Sequence, residues 1–133
     1  MSEAAPAAAP RRPGSARRVF ATAILVVEAG MVFIAGLVAV RLELAPSSEA
    51  WIVAGLLAGV AVAAMATLRS GIGYGIGSVL QIAVVLSGLV VSVMWFLGAV
   101  FAVMWIAALI VGGRIDKERI ERWEAEHADR LEP

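Results

Sequence analysis

Polar residues crowd the two ends of this chain, and the stretch between them is apolar. Of eleven basic and eleven acidic residues, five lie within positions 1–18 and twelve within 114–133. Only Glu28, Arg41, Glu43, Glu49 and Arg69 interrupt the rest. A helix that crosses a bilayer needs about 20 apolar residues. Residues 19–40 supply one such run, with a single internal charge, and residues 51–68 supply a second. Residues 71–113 then run for 43 positions without a charge. As one helix that run would be roughly 65 Å long at about 1.5 Å per residue, twice the hydrocarbon thickness, so it must fold back. The expected break is a very tight hairpin around residues 92–95. The pattern predicts an all-α fold, an integral membrane four-helix bundle with short loops. It divides into an N-terminal tail (1–18), a four-span domain (19–113; spans about 19–40, 51–68, 73–92 and 95–112) and a charged C-terminal helix (114–133).

Composition agrees. Of 133 residues, 61% are hydrophobic and the mean hydropathy is +0.88, too apolar for a water-soluble domain of this size. Formal net charge is zero, so no overall basic field points to nucleic acid. Cysteine is absent, which excludes disulfides, thiolate chemistry and Cys-based metal sites. With four spans, ten of the eleven basic residues share one side: Arg11, Arg12, Arg17, Arg18, Arg69, Arg114, Lys117, Arg119, Arg122 and Arg130. Arg41 alone is opposite. The positive-inside rule then puts both termini in the cytoplasm of a multi-pass protein of the bacterial inner (plasma) membrane. Pro46, Ser47, Ser48 and Glu49 offer a cap and an acid for the second helix. Trp51 and Trp95 fall where an outer aromatic belt would lie.

The first 18 residues, rich in alanine, proline and arginine, read as disordered. "ARRVFATAIL" resembles a twin-arginine export signal, but a glutamate interrupts its apolar region and three more spans follow. It is expected to be an uncleaved first helix behind a cytoplasmic arginine cluster. In the C-terminal segment, Glu118–Arg122 and Glu126–Arg130 are favourable i,i+4 pairs. Ile120, Trp123, His127 and Leu131 fall on one stripe that could lie on a membrane surface or a partner, or belong to a solvated extension of the fourth span.

The stretch "GIGYGIG" at residues 71–77 contains Gly-Tyr-Gly, as a potassium filter does. A filter needs a pore helix before it, and here Arg69 precedes the stretch directly. A phosphate loop is excluded as well, since Lys117 is the only lysine in the chain. Packing remains. Gly71 and Gly75 form one G-x-x-x-G, and Gly73 and Gly77 another, continuing through Gln81, then Val84 or Val85, then Gly88 and Ser92. Gly55, Gly59, Ala63 and Ala66 give the second span a similar face, and Gly98, Ala102 and Gly112 the fourth.

Two polar side chains lie at depth. Glu28 is ten residues beyond Arg18, and Gln81 is ten residues beyond Gly71. Both positions are counted from the same surface, so the two sit at nearly equal depth, roughly 15 Å in. A charged group there costs about 2.5–3.5 kcal/mol on insertion scales and is a functional candidate by default. Gln81 is expected to hydrogen-bond Glu28 across a contact between the first and third spans. Such a pair is either structural glue or the centre of a proton or cation carrier.

"RRVFATAILVVEAGMVF", with Glu28, and "QIAVVLSGLVVSVMWFLGAVFAVMWIAALIVGGRID", with Gln81, Gly88, Gly98, Trp105 and Gly113, resemble a family of small four-span, chiefly actinobacterial membrane proteins catalogued as domain of unknown function 4233. The resemblance covers most of residues 17–120. It implies four spans and no assigned activity, so it carries over no catalytic residues. Members are often encoded beside folylpolyglutamate synthase, which implies by association alone a link to folate or cell-envelope metabolism. The overall plan also resembles small multidrug-resistance transporters in architecture, with one glutamate in the first of four spans. The leading expectation is a non-enzymatic accessory or interaction subunit that self-associates or binds a membrane-protein partner through its glycine faces. The alternative is a small proton-coupled transporter of cationic or small solutes using Glu28. No metal cluster, nucleophile–base pair or second intramembrane carboxylate points to an enzyme, a cofactor or a metal.

Overall fold

The computed structural model describes residues 10–128. Four helices follow one another: α1 (Ala16–Arg41), α2 (Ser47–Thr67), α3 (Ile72–Leu86) and α4 (Val93–Glu126). Each, with any adjoining 3-10 turn, is long and apolar enough to cross a membrane. The chain is a multi-pass membrane protein.

Local chemistry sets the boundaries. Ser15 starts α1, its hydroxyl accepting from the Arg18 N–H at 3.2 Å. Ala16, Arg17 and Arg18 are therefore helical, so the expected tail ends earlier than 18; residues 1–9 lie outside the described residues. At its other end α1 closes in a Schellman turn: Leu44 N–H bonds Ala39 O at 3.0 Å and Glu43 N–H bonds Val40 O at 3.3 Å. Glu43 takes the left-handed conformation there, with φ 51°. After α2 comes a 3-10 turn, Leu68–Ser70. Gly71, at φ +82°, then reverses the chain into α3, a conformation that residues with a Cβ rarely adopt.

The third helix is the short one. It spans 15 residues, about 22 Å, and gives way to a 3-10 turn, Ser87–Leu89. The hairpin expected at residues 92–95 instead lies at 87–92. Ser87 builds it: its hydroxyl donates to Val84 O at 2.6 Å, and its carbonyl accepts from the N–H groups of Val90 and Val91. These bonds satisfy the turn's backbone where lipid could not. No break separates the fourth span from the charged segment after residue 113, for α4 runs unbroken for 34 residues, about 50 Å.

The helices form a ring. α1 packs on α2 and α4, and α3 packs on the same two, while α1 and α3 barely meet across the diagonal. Leu25, Leu80, Val84 and Trp105 fill the centre, with Ala21, Ala61 and Ala64 letting the backbones approach. Large apolar side chains cover the outside, such as Phe96, Leu89 and Val103. An exterior this apolar suits lipid rather than water. At the far end, where α3 falls short, Val32, Gly36, Ala39, Ala50, Ala54 and Met94 line part of an apolar cavity of about 140 Å3.

Asp116 closes the ring. From α4 it accepts hydrogen bonds at the start of α1 from the Ser15 hydroxyl (2.7 Å) and from the N–H groups of Ala16 and Arg17. Desolvation pushes its carboxyl up. The bonds from Ser15, Ala16 and Arg17, with the Arg119 charge, outweigh that and hold it below the usual carboxylate range. Asp116→Ala should cost about 1–2 kcal/mol, the worth of a helix cap. A lowered folded-state pKa stabilises above the unfolded value of about 3.9, and that contribution is lost as pH falls through the folded value. The gap between wild type and Asp116→Ala, read from unfolding in detergent, should be flat from about pH 5 to 8 and shrink below about pH 4.

The C-terminal stripe is partly occupied by the chain itself. The Arg12 guanidinium lies 5.7 Å from the centroid of the Trp123 ring, and His127 stacks on that ring at 4.9 Å. Glu118 and Arg122 approach to 3.7 Å, and Lys117 and Glu121 to 3.8 Å. Arg130 and Leu131 lie outside the described residues.

Candidate functional site

The middle of α1 presents Leu25, Glu28, Val32 and Gly36 to the interior. On α3 the inward face is Gly73, Gly77, Leu80, Gln81 and Val84. Across the diagonal of the ring, the Gln81 Nε2 donates to Glu28 Oε2 at 2.8 Å. Glu28 is 0% and Gln81 4% exposed. Glu28 Oε1 and Gln81 Oε1 have no partner among the described residues. The pair thus holds one donor bond and two acceptors without donors. A proton on Glu28 Oε1, or one water, would supply what is missing.

Glycines bring the helices close enough for this. A Cβ on Gly73 would strike the Ala64 carbonyl and the Leu68 backbone. One on Gly77 would enter the Trp105 indole, and one on Gly88 would meet Trp95. At Gly98 it would lie 2.8 Å from Val85 Cα. The remaining candidates do something else. Gly71 is the left-handed cap of α3, and Gly75 has open space around it. The Gly71/Gly75 pair therefore makes no helix crossing. Gly55 and Gly59 also face open space, on the exposed side of α2.

Trp105, 2% exposed and one of the residues that carry the family resemblance, holds a central structural position that its place in the sequence does not reveal. Its ring fills the notch at Gly77, and its Nε1 donates to Ser78 Oγ at 3.1 Å. Ser78 in turn donates to Tyr74 O at 2.8 Å. The available signal was a tryptophan well inside an apolar run, away from any interfacial belt, whose N–H needs an acceptor. Asp116 carries no such signal, being one acid among many in a charged segment.

The far-end cavity stops at Val32, one helical turn from Glu28, and neither Glu28 nor Gln81 lines it. Among the described residues, no group of three or more acidic or histidine side chains is placed to hold a metal ion.

The family described as "Protein of unknown function (DUF4233)" matches residues 17–121. The chain belongs to the DUF4233 family. Glu28, Gln81, Trp105 and Asp116 all lie within the DUF4233 segment, and Trp123 lies beyond it. No curated protein and no solved structure matches the chain.

Proposed function

We propose that this DUF4233 protein is a non-enzymatic interaction subunit of the plasma membrane, with both ends in the cytoplasm, which self-associates through the outer face of α2. One observation carries the reading. Gly36, Gly73, Gly77, Gly88, Gly98 and Gly112 are used inside the bundle, whereas Gly55 and Gly59, four residues apart on α2, look outward onto open space, continued by exposed Ala63 and Ala66. In lipid, small residues at four-residue spacing favour close helix pairing. On this reading the Glu28–Gln81 bond is an internal fastening.

The cysteine-free sequence makes the test direct. Ala63→Cys should form disulfide-linked dimers in native membranes, and Val103→Cys, on the exposed face of α4, should not. Gly55→Leu with Gly59→Leu should reduce the Ala63→Cys product about five- to thirtyfold, as expected for loss of about 1–2 kcal/mol of pairing. Equal cross-linking at the two cysteines would refute self-association through α2.

A second reading, a small proton-coupled transporter, is favoured by the donor-less Oε1 of Glu28. Against it stands the complete enclosure of that side chain.

A further inference from the structure

At the end of the bundle that carries Ser15 and Arg114, three segments distant in sequence enclose a polar hollow. The start of α1 contributes Ser15 and Arg18, the turn after α2 contributes Arg69, Ser70 and Gly71, and the first turn of α3 contributes Tyr74. The hollow measures about 350 Å3. It differs in kind from the apolar far-end cavity, because two arginines from separate elements, Arg18 and Arg69, line it.

The Ser15 and Ser70 hydroxyls of the lining are engaged, by Asp116 and by Thr67 O, but its two arginines have no carboxylate partner among the described residues. Among the described residues the ion pairs are Lys117–Glu121 and Arg122–Glu118, so neither Arg18 nor Arg69 is neutralised by a carboxylate. Asp116, close by at the start of α1, is already engaged by Ser15, Ala16 and Arg17. The Arg17 guanidinium lies 4.3 Å from the centroid of the Tyr74 ring, and its Nε is buried with no partner among the described residues. Gly71, part of the lining, gives α3 no side-chain cap, and the Tyr74 N–H bonds Gly71 O at 3.3 Å. Positive charge and forked donors call for one ligand chemistry: a compact anion with several acceptor oxygens.

The setting narrows it further. Exposed Val19, Phe20 and Ile72 lie next to the hollow in sequence and continue the apolar exterior of the bundle. An anion held here sits where an apolar exterior meets a polar end, at headgroup level. We propose that Arg18 and Arg69 form a binding site for a phosphate group, presented either by an anionic phospholipid headgroup or by a free phosphate. The site is more than general attraction of a basic end to an anionic surface, because it needs these two arginines and not their neighbours.

The test uses the full-length protein in neutral detergent, titrated in parallel with short-chain phosphatidylglycerol and with inorganic phosphate. Binding is read from phosphorus NMR line broadening and from the thermal midpoint. Wild type should bind at least one of the two saturably. Arg18→Gln with Arg69→Gln should weaken that binding about tenfold or more, as expected for loss of two charge-assisted contacts. Arg18→Lys with Arg69→Lys keeps the charge and should retain part of it. Arg114→Gln with Arg122→Gln removes equal charge from the same end and should change binding less than about threefold, the small effect of exposed charges. An unchanged midpoint without ligand verifies that each variant is folded. Saturation by phosphatidylglycerol alone identifies a lipid site, and saturation by inorganic phosphate as well identifies a site for free phosphate groups. No saturable binding of either probe, or equal losses in the two glutamine pairs, overturns the proposal.

Discussion

Gly73→Leu should prevent α2 and α3 from seating, whereas Gly75→Leu, two positions along the same helix, should be tolerated. The contrast follows from what each new side chain would meet. At Gly73 the first carbon already collides with the Ala64 carbonyl and the Leu68 backbone. Backbone cannot move aside as a flexible side chain can. Overpacking usually costs about 1–3 kcal/mol, and a clash against main chain lies at or beyond the top of that range. Separating the two helices would also uncover Ala61, Ala64, Leu68 and Leu80, all at most 3% exposed. At Gly75 nothing lies within 4 Å, and a leucine there would face lipid, so a change within about 0.5 kcal/mol is expected. Yield of monodisperse protein and the thermal midpoint in detergent check the pair. If both variants behave alike, the α2–α3 seam is wrongly placed.

The second large effect concerns the diagonal. Gln81→Glu would face two carboxyl groups across the ring and remove the one donor that Glu28 has. Orphaning a buried acceptor costs about 1–3 kcal/mol, and more when it is charged. Exchanging the two residues, Glu28→Gln with Gln81→Glu, restores one acid and one amide. The exchanged protein should recover to within about 1 kcal/mol of wild type, since interhelical bonds in membranes are themselves worth only about 0.6 kcal/mol on average. Glu28→Gln alone should be mild, because two amides can still bond. An exchange no milder than Gln81→Glu would mean that the two side chains do not answer to each other. An apolar replacement of both, Glu28→Met with Gln81→Leu, should fold nearly normally. Proton-coupled flux on reconstitution that vanishes in that variant would favour the transporter reading over the interaction subunit.

The four helices could be read from the sequence because lipid imposes length and because charges mark the gaps between runs. The seam through Gly73, Gly77, Gln81 and Gly88 could be read from four-residue spacing, which any straight helix must obey. The same spacing promised equal weight to Gly71 and Gly75. Spacing says which residues share a face, but not which face meets a neighbour. The α3–α4 turn was misplaced because no charge marks it. It is made by Ser87 bonding back to Val84 O and by Gly88 fitting beneath Trp95, two residues that look ordinary within an apolar run. Equal depth brought Glu28 and Gln81 together on paper, since both helices start from one surface. Trp105 in the notch of Gly77, and Asp116 on Ser15, join positions far apart in the chain that no local pattern links.

The reach of Asp116 back to Ser15, 101 positions earlier, bears on how the protein is made. The first helix leaves the ribosome with the N–H groups of Ala16 and Arg17 unpaired, and the carboxylate that will hold them is synthesised only after the fourth span. Until then the nascent chain has all four spans but not the bond that ties the end of the fourth to the start of the first. A chain cut short before residue 116 would keep every hydrophobic segment needed for insertion and still lack the clasp, so a quality-control protease would meet a molecule fully threaded yet unfastened.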